Sequence, residues 1–167
     1  LSLHDALPIS LGVVSLLGIP GQIWLGHLSD RIGREWVWAI SCFGFVICFA
    51  ALAALTYWPS MALIYLMVFT QGALGYGLTS VMGPVVLEIF QGKHYGSIFG
   101  TVMLAALAGG AAGPWITGQL YDLSGSYTSA FLLGIAVSLL SAFAIWQASP
   151  RKVRAVAGQM HKVASAV

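Results

Sequence analysis

The chain predicts an all-α fold, a polytopic membrane helical bundle of about five transmembrane helices. Three observations carry that expectation. Long apolar runs follow one another, their interiors hold almost no charge, and one short stretch, Gly26 to Glu35 (GHLSDRIGRE), concentrates it. Asp30, Arg31, Arg34 and Glu35 lie within six positions of one another. A charged side chain at a bilayer centre costs roughly 2.5–3.5 kcal/mol on insertion scales, so this stretch belongs at a membrane surface.

Composition excludes the common alternatives. Hydrophobic residues make up 59% of the chain and charged residues 7%, against about 25% charged in a soluble domain. That leaves too little polar surface for a soluble globule of 167 residues. A net charge of +2 is too small and too localised to suggest a nucleic-acid partner. Cys42 and Cys48 stand six positions apart in one apolar run, on different helix faces, and read as packing residues. Without a Cys/His cluster at ligand spacing, neither a metal nor a cofactor is expected.

The elements follow in order. Residues 1–9 call for separate treatment: Ser2–Ile9 (SLHDALPI) reads like the in-frame translation of a sequencing-library adapter, to be excluded from the fold. The alternative is a genuine start with His4 and Asp5 in an outer loop. Residues 10–148 then hold five apolar segments, near Ser10–Leu28, Trp36–Thr56, Met61–Leu87, Ser97–Leu120 and Thr128–Ala148. At 1.5 Å per residue each can cross a hydrocarbon layer of about 30 Å. Turn chemistry separates them at Tyr57-Trp58-Pro59-Ser60, Gln91-Gly92-Lys93-His94 and Asp122-Leu123-Ser124-Gly125-Ser126. Uninterrupted apolar runs are not the two-residue alternation of a membrane barrel. Residues 149–167 form a tail of small residues and scattered charge.

Basic residues set the orientation. Arg31, Arg34, Lys93, Arg151, Lys152, Arg154 and Lys162 are all the Lys and Arg present, and with five crossings all fall on one side. That side is therefore expected to be cytoplasmic, with the C-terminus inside a cell (inner or plasma) membrane. Trp36, Trp38, Tyr57, Trp58, Tyr121, Tyr127 and Trp146 stand near helix ends, where amphipathic rings anchor against membrane lipids.

The order of motifs carries a family resemblance. Gly26-His27-Leu28-Ser29-Asp30-Arg31-Ile32-Gly33-Arg34 ends one helix; Gly113-Pro114-Trp115-Ile116-Thr117-Gly118 follows later, then Asp122 with Gly125-Ser126-Tyr127. Together these resemble the C-terminal half, helices eight to twelve, of a major facilitator superfamily transporter. The later motifs look most similar to the monocarboxylate and oxalate–formate branch. The resemblance implies a secondary or facilitative transporter of a small solute, an organic anion among the candidates, working by alternating access with an N-terminal half as partner. It also implies a gating role for Gly26, Asp30, Arg31, Gly33 and Arg34, with Asp30 latching the inner side against the helix that starts near Tyr95. Arg31 and Arg34 would pair with Asp30 or Glu88. Glu35 stands where the family usually has a basic residue.

Polar groups at membrane depth are the candidate solute contacts, because each needs a partner or a wet cavity. Gln71, Gly75 and Thr79 recur at four-residue spacing with Tyr76 alongside, and Gln22 adjoins a Pro20-Gly21 pair where a helix can break. Carboxylate-transporting relatives tend to have arginine at the position of Gln22. Gly96, Gly100, Gly109 and Gly113, with Pro114, mark a helix suited to close packing and sliding. The helix interiors offer no Asp, Glu or His for proton coupling. An enzyme is not expected, since the histidines fall outside the membrane core, away from Ser80 and Ser97. A non-transporting structural or assembly subunit is the remaining alternative.

Overall fold

The computed structural model describes residues 3–90 and 94–148, with side chains from Gly12 onward. The turn residues Gln91, Gly92 and Lys93 and the tail 149–167 lie outside it, as do the side chains of His4 and Asp5. Six α-helices run in order: α1 (Leu3–Ile32), α2 (Arg34–Leu55), α3 (Met61–Phe69), α4 (Gly77–Ile89), α5 (Tyr95–Ser124) and α6 (Thr128–Ala148). A π-helical turn, Thr70–Gly75, joins α3 to α4 in one rod. No strand occurs among the described residues. The all-α membrane bundle read from the sequence is the observed fold.

Among the described residues, four rods are long and apolar enough to cross a bilayer: Arg34–Leu55, Met61–Ile89, Tyr95–Ser124 and Thr128–Ala148. The expected crossing at Ser10–Leu28 falls in α1, whose backbone is helical from Leu3 but whose first side chains are outside the described set. The third rod differs from the uniform helix expected over Met61–Leu87. Its π turn spends one extra residue, and hydroxyls satisfy the disturbed carbonyls. Thr70 Oγ1 donates to Leu66 O at 2.9 Å and lies 3.2 Å from Met67 O.

Local chemistry sets the ends. Ser60 caps α3 by accepting from the Ala62 amide at 3.3 Å. Gly33 turns α1 into α2 at φ 108°, and Gly125 closes α5 at φ 67°, backbone conformations that a Cβ disfavours. The motif around Asp122 thus resolves into a helix that continues to Ser124 and a glycine that stops it.

Helix α2 is the hub, packing on α1, α4, α6 and the α3 rod. A core of Leu25, Val37, Val81, Val85 and Ile145 draws on α1, α2, α4 and α6 near the end where α1 turns into α2. Cys42 and Cys48 are free, buried thiols, as packing residues should be. Across the α2–α6 seam Trp38 Nε1 donates to Ser141 Oγ at 3.1 Å, and Trp36 meets Trp146 edge-on at 5.1 Å. Helix α5 contributes no buried residue.

A backbone-to-backbone seam joins α1 to the π turn. A Cβ on Gly21 would stand 2.7 Å from Ala73 O and 3.0 Å from Gly72 O. One on Gly72 would stand 2.8 Å from Leu17 Cβ and 3.1 Å from Val14 O. Here backbone meets backbone, and a methyl group would force the rods apart. Gly21→Ala and Gly72→Ala are each expected to cost about 1–3 kcal/mol, read from thermal unfolding in detergent. Gly109→Ala, with nothing within 4 Å of its Cβ, serves as the control and should melt no lower than the parent, alanine being the better helix former. Indistinguishable melting of all three variants would contradict this seam.

Candidate functional site

Two polar side chains predicted as solute contacts from distant parts of the chain meet in the structure. Gln22 Nε2 on α1 donates to Thr79 Oγ1 on α4 at 3.0 Å, and both residues are exposed. Thr79 in turn donates its hydroxyl proton to Tyr76 O at 2.7 Å. The Tyr76 ring covers Gly18, one helical turn before Gln22, and a Cβ at Gly18 would lie 2.7 Å from Tyr76 Cδ2. Gln22, Thr79 and Tyr76 therefore form one wall.

Depth follows from helix rise. Gln22 precedes Ile32, the last residue of α1, by ten positions, and Thr79 precedes Ile89, the last of α4, by the same number. Ten residues span about 15 Å, half of a hydrocarbon layer about 30 Å thick. Those two helix ends lie on the same side, because an ion pair joins them. The Gln22–Thr79 pair thus lies about half a hydrocarbon thickness from that charged end. The π turn flanks it and interrupts regular helix, whereas α1 runs unbroken through Pro20, so the break expected beside Gln22 is not there.

The structure does not bring Gln71 to this wall. Four-residue spacing predicted Gln71, Gly75 and Thr79 on one face, and the π turn breaks that phase. Gln71 Cδ and the Phe45 ring both lie beside Gly75, 3.6 Å and 3.3 Å from the position of its Cβ, so this pair looks toward α2. The one-residue insertion rotates everything after it by about 100°, turning Thr79 toward α1 instead. Sequence reasoning does not find the π turn; its only available signal is the glycine cluster Gly72, Gly75 and Gly77.

The charged loop forms a second constellation. Arg34 Nε lies 2.7 Å from Glu88 Oε1, and Arg34 Nη2 lies 3.8 Å from Asp30 Oδ1. Arg34 and Glu88 are mostly shielded, with side chains 20% and 15% exposed, whereas Asp30 is 68% exposed. Ser29, buried, donates to Gly26 O at 2.6 Å and holds the last turns of α1. Arg31 is exposed. Asp30 pairs with Arg34, while at the start of α5 Tyr95 OH reaches Gly83 O at 3.4 Å.

Glycine roles divide. Gly33 is required by its positive φ, and the Glu35 carboxylate folds against it, 3.0 Å from where a Cβ would be. Glu35 is buried in the first turn of α2, where the amide dipoles favour an anion. Its burial is not legible in the sequence. Gly26 is less constrained, since an added Cβ would make ordinary contact with Ser80 Cβ at 3.7 Å. Gly96, Gly100, Gly109 and Gly113 have nothing within 4 Å of a built Cβ, so within the described residues their stripe packs on no neighbour. Helix α5 runs unbroken through Pro114.

Comparison with known proteins gives one match. The family model described as Major Facilitator Superfamily matches residues 4–165. No curated protein and no solved structure matches the chain.

Shielding should separate the two ion pairs in strength. Double-mutant cycles in detergent-solubilised protein should give Arg34 with Glu88 a coupling of about 1 kcal/mol or more, within the range for contacting residues. Arg34 with Asp30, longer and exposed, should give roughly 0.2–0.5 kcal/mol. Equal couplings would contradict the ranking.

Proposed function

Given that the chain belongs to the Major Facilitator Superfamily, a family of multi-pass membrane transporters and not of enzymes, we propose that it moves a small solute by alternating access, as the C-terminal part of a longer transporter. The observation that carries this reading is the wall of Gln22, Tyr76 and Thr79, about half a hydrocarbon thickness from the charged end and beside the π turn. Transporters place their sites at this depth, where irregular backbone is tolerated only against protein or a wet cavity. Residues 10–148 are the working bundle in this reading, residues 1–9 are adapter-derived, and 149–167 is a cytoplasmic tail.

The loop supplies the conformational element. Arg34 bridges Asp30 and Glu88, so it ties the end of α1 to the end of α4 on one face of the membrane. We place that face on the cytoplasmic side, as the distribution of Lys and Arg requires. Gly26, Asp30, Arg31, Gly33 and Arg34 would let this tie form and release as the two halves rock. The uncovered stripe of Gly96, Gly100, Gly109 and Gly113, with Pro114, is where the other half would slide. Gln71, which faces Phe45, would support the bundle beside the path.

The finer placement rests on the Gly113–Gly118 and Asp122–Tyr127 motifs, which favour the monocarboxylate and oxalate–formate branch and an organic anion. Gln22, uncharged, argues the other way. The solute in this reading is therefore small and polar.

Three measurements test it. Liposomes holding only this chain should show no uptake, and extending the reading frame upstream should reveal about seven further membrane helices with a second loop like Gly26–Arg34. Single cysteines placed at the exposed positions Asp30 or Arg31, with Cys42 and Cys48 replaced, should react with impermeant reagents only from the inner face. Reaction from the outer face would overturn the orientation, and uptake by the chain alone would overturn the two-part mechanism.

A further inference from the structure

We infer that the Gln22–Thr79 wall accepts an uncharged hydroxyl- or amide-bearing group of the solute and rejects a carboxylate. This rests on reading that wall as part of the solute path and adds the chemistry of what it holds.

Proton placement decides what the wall can offer. A threonine hydroxyl has one proton, and that of Thr79 is spent on Tyr76 O at 2.7 Å. Towards Gln22 the hydroxyl can therefore only accept, which forces the carboxamide to present its NH₂ group at 3.0 Å. The orientation of Gln22 is thereby set by the network. Its carbonyl Oε1 and its second N–H remain, one acceptor beside one donor, on a residue that is exposed.

A hydroxyl matches that pair, since it donates and accepts at once, and a primary or cyclic amide matches it equally well. A carboxylate does not. At neutral pH it only accepts, so one of its oxygens would face Gln22 Oε1. Turning the amide over would remove that repulsion but would cost either the Gln22–Thr79 bond or the Thr79–Tyr76 bond.

Among the described residues, countercharge is also absent from this wall. Along α1 the next ionisable side chain after Gln22 is His27, about 7.5 Å further by helix rise and about 140° round the axis. Asp30 on α1 and Glu88 on α4 lie eight and nine positions from the pair, at the loop end, and both are acidic. Arg34 is held between them. An anion brought to this depth would give up its water without a cation in return, which is the costly case.

The test uses the full chain in lipid nanodiscs and two matched probe pairs, glycerol with glycerate and lactamide with lactate. Binding is read by saturation-transfer NMR. The neutral member of each pair should bind at least about tenfold more tightly than its carboxylate partner. That binding should be lost in Gln22→Ala and in the near-isosteric Thr79→Val. Gln22→Arg supplies the missing cation and should reverse the preference towards glycerate and lactate, a gain that a misfolded variant could not produce. Carboxylates binding as well as their neutral partners, in a manner that depends on Gln22, would overturn the inference while leaving the solute path in place. Binding that ignores both Gln22 and Thr79, or no binding of any probe, would remove the solute path from this wall and the inference with it.

Discussion

The architecture depends on the contact between α1 and the π turn. Gly21 and Gly72 let two backbones approach until carbonyl oxygens meet α-carbons, and every neighbouring pairing inherits that spacing. Tyr76 can lie on Gly18, Gln22 can reach Thr79, and Leu25 can press against Gly77 only because the rods are this close. In a bilayer such proximity matters more than burial of apolar area, since lipid tails compete equally for aliphatic side chains. Close van der Waals packing and interhelical hydrogen bonds are what remain, and small residues permit both.

A second tie holds the same two rods at the membrane surface. Arg34 sits just past the α1–α2 turn and reaches Glu88 near the end of α4, about 15 Å along the axis from the Gln22–Thr79 pair. The two attachments differ in kind. The glycine seam is geometric and does not respond to charge, whereas the Arg34–Glu88 bridge is an electrostatic tie, and Asp30, open to solvent, offers Arg34 a second carboxylate. A rod fixed at its middle and held by charge at one end is suited to tilting. Helix α2 gives that motion a fixed reference through its long seam with α6, where Trp38, Ser141, Trp36 and Trp146 interlock.

Helix α5 is the counterpart of this compact group. It buries nothing, its glycines stand open, and Pro114 within it removes one backbone donor. Proline and exposed glycine at membrane depth are stable when protein or water covers them. The proposed second half of the transporter would provide that cover, and the uncovered stripe lies on the helix that a rocking partner would contact.

Much of this is legible in the amino-acid sequence by itself. Apolar run length against hydrocarbon thickness determined the all-α bundle and the approximate place of each helix, since backbone groups in lipid must bond within their own helix, but α1 and α5 run past their expected ends. The charge cluster at Asp30, Arg31 and Arg34 determined where a membrane surface lies, and the motif order pointed to the family. Gln22, Tyr76 and Thr79 were recognisable as polar groups at depth, but only tertiary structure joined them and separated Gln71 from them. The physical reason is phase. A single residue added in a π turn rotates everything beyond it, and that turn sets Gly72 and Ala73 against α1, a contact between segments about fifty residues apart in the chain. The burial of Glu35 and the openness of α5 have the same origin, because periodicity says which face of a helix a residue occupies and packing alone decides what that face meets.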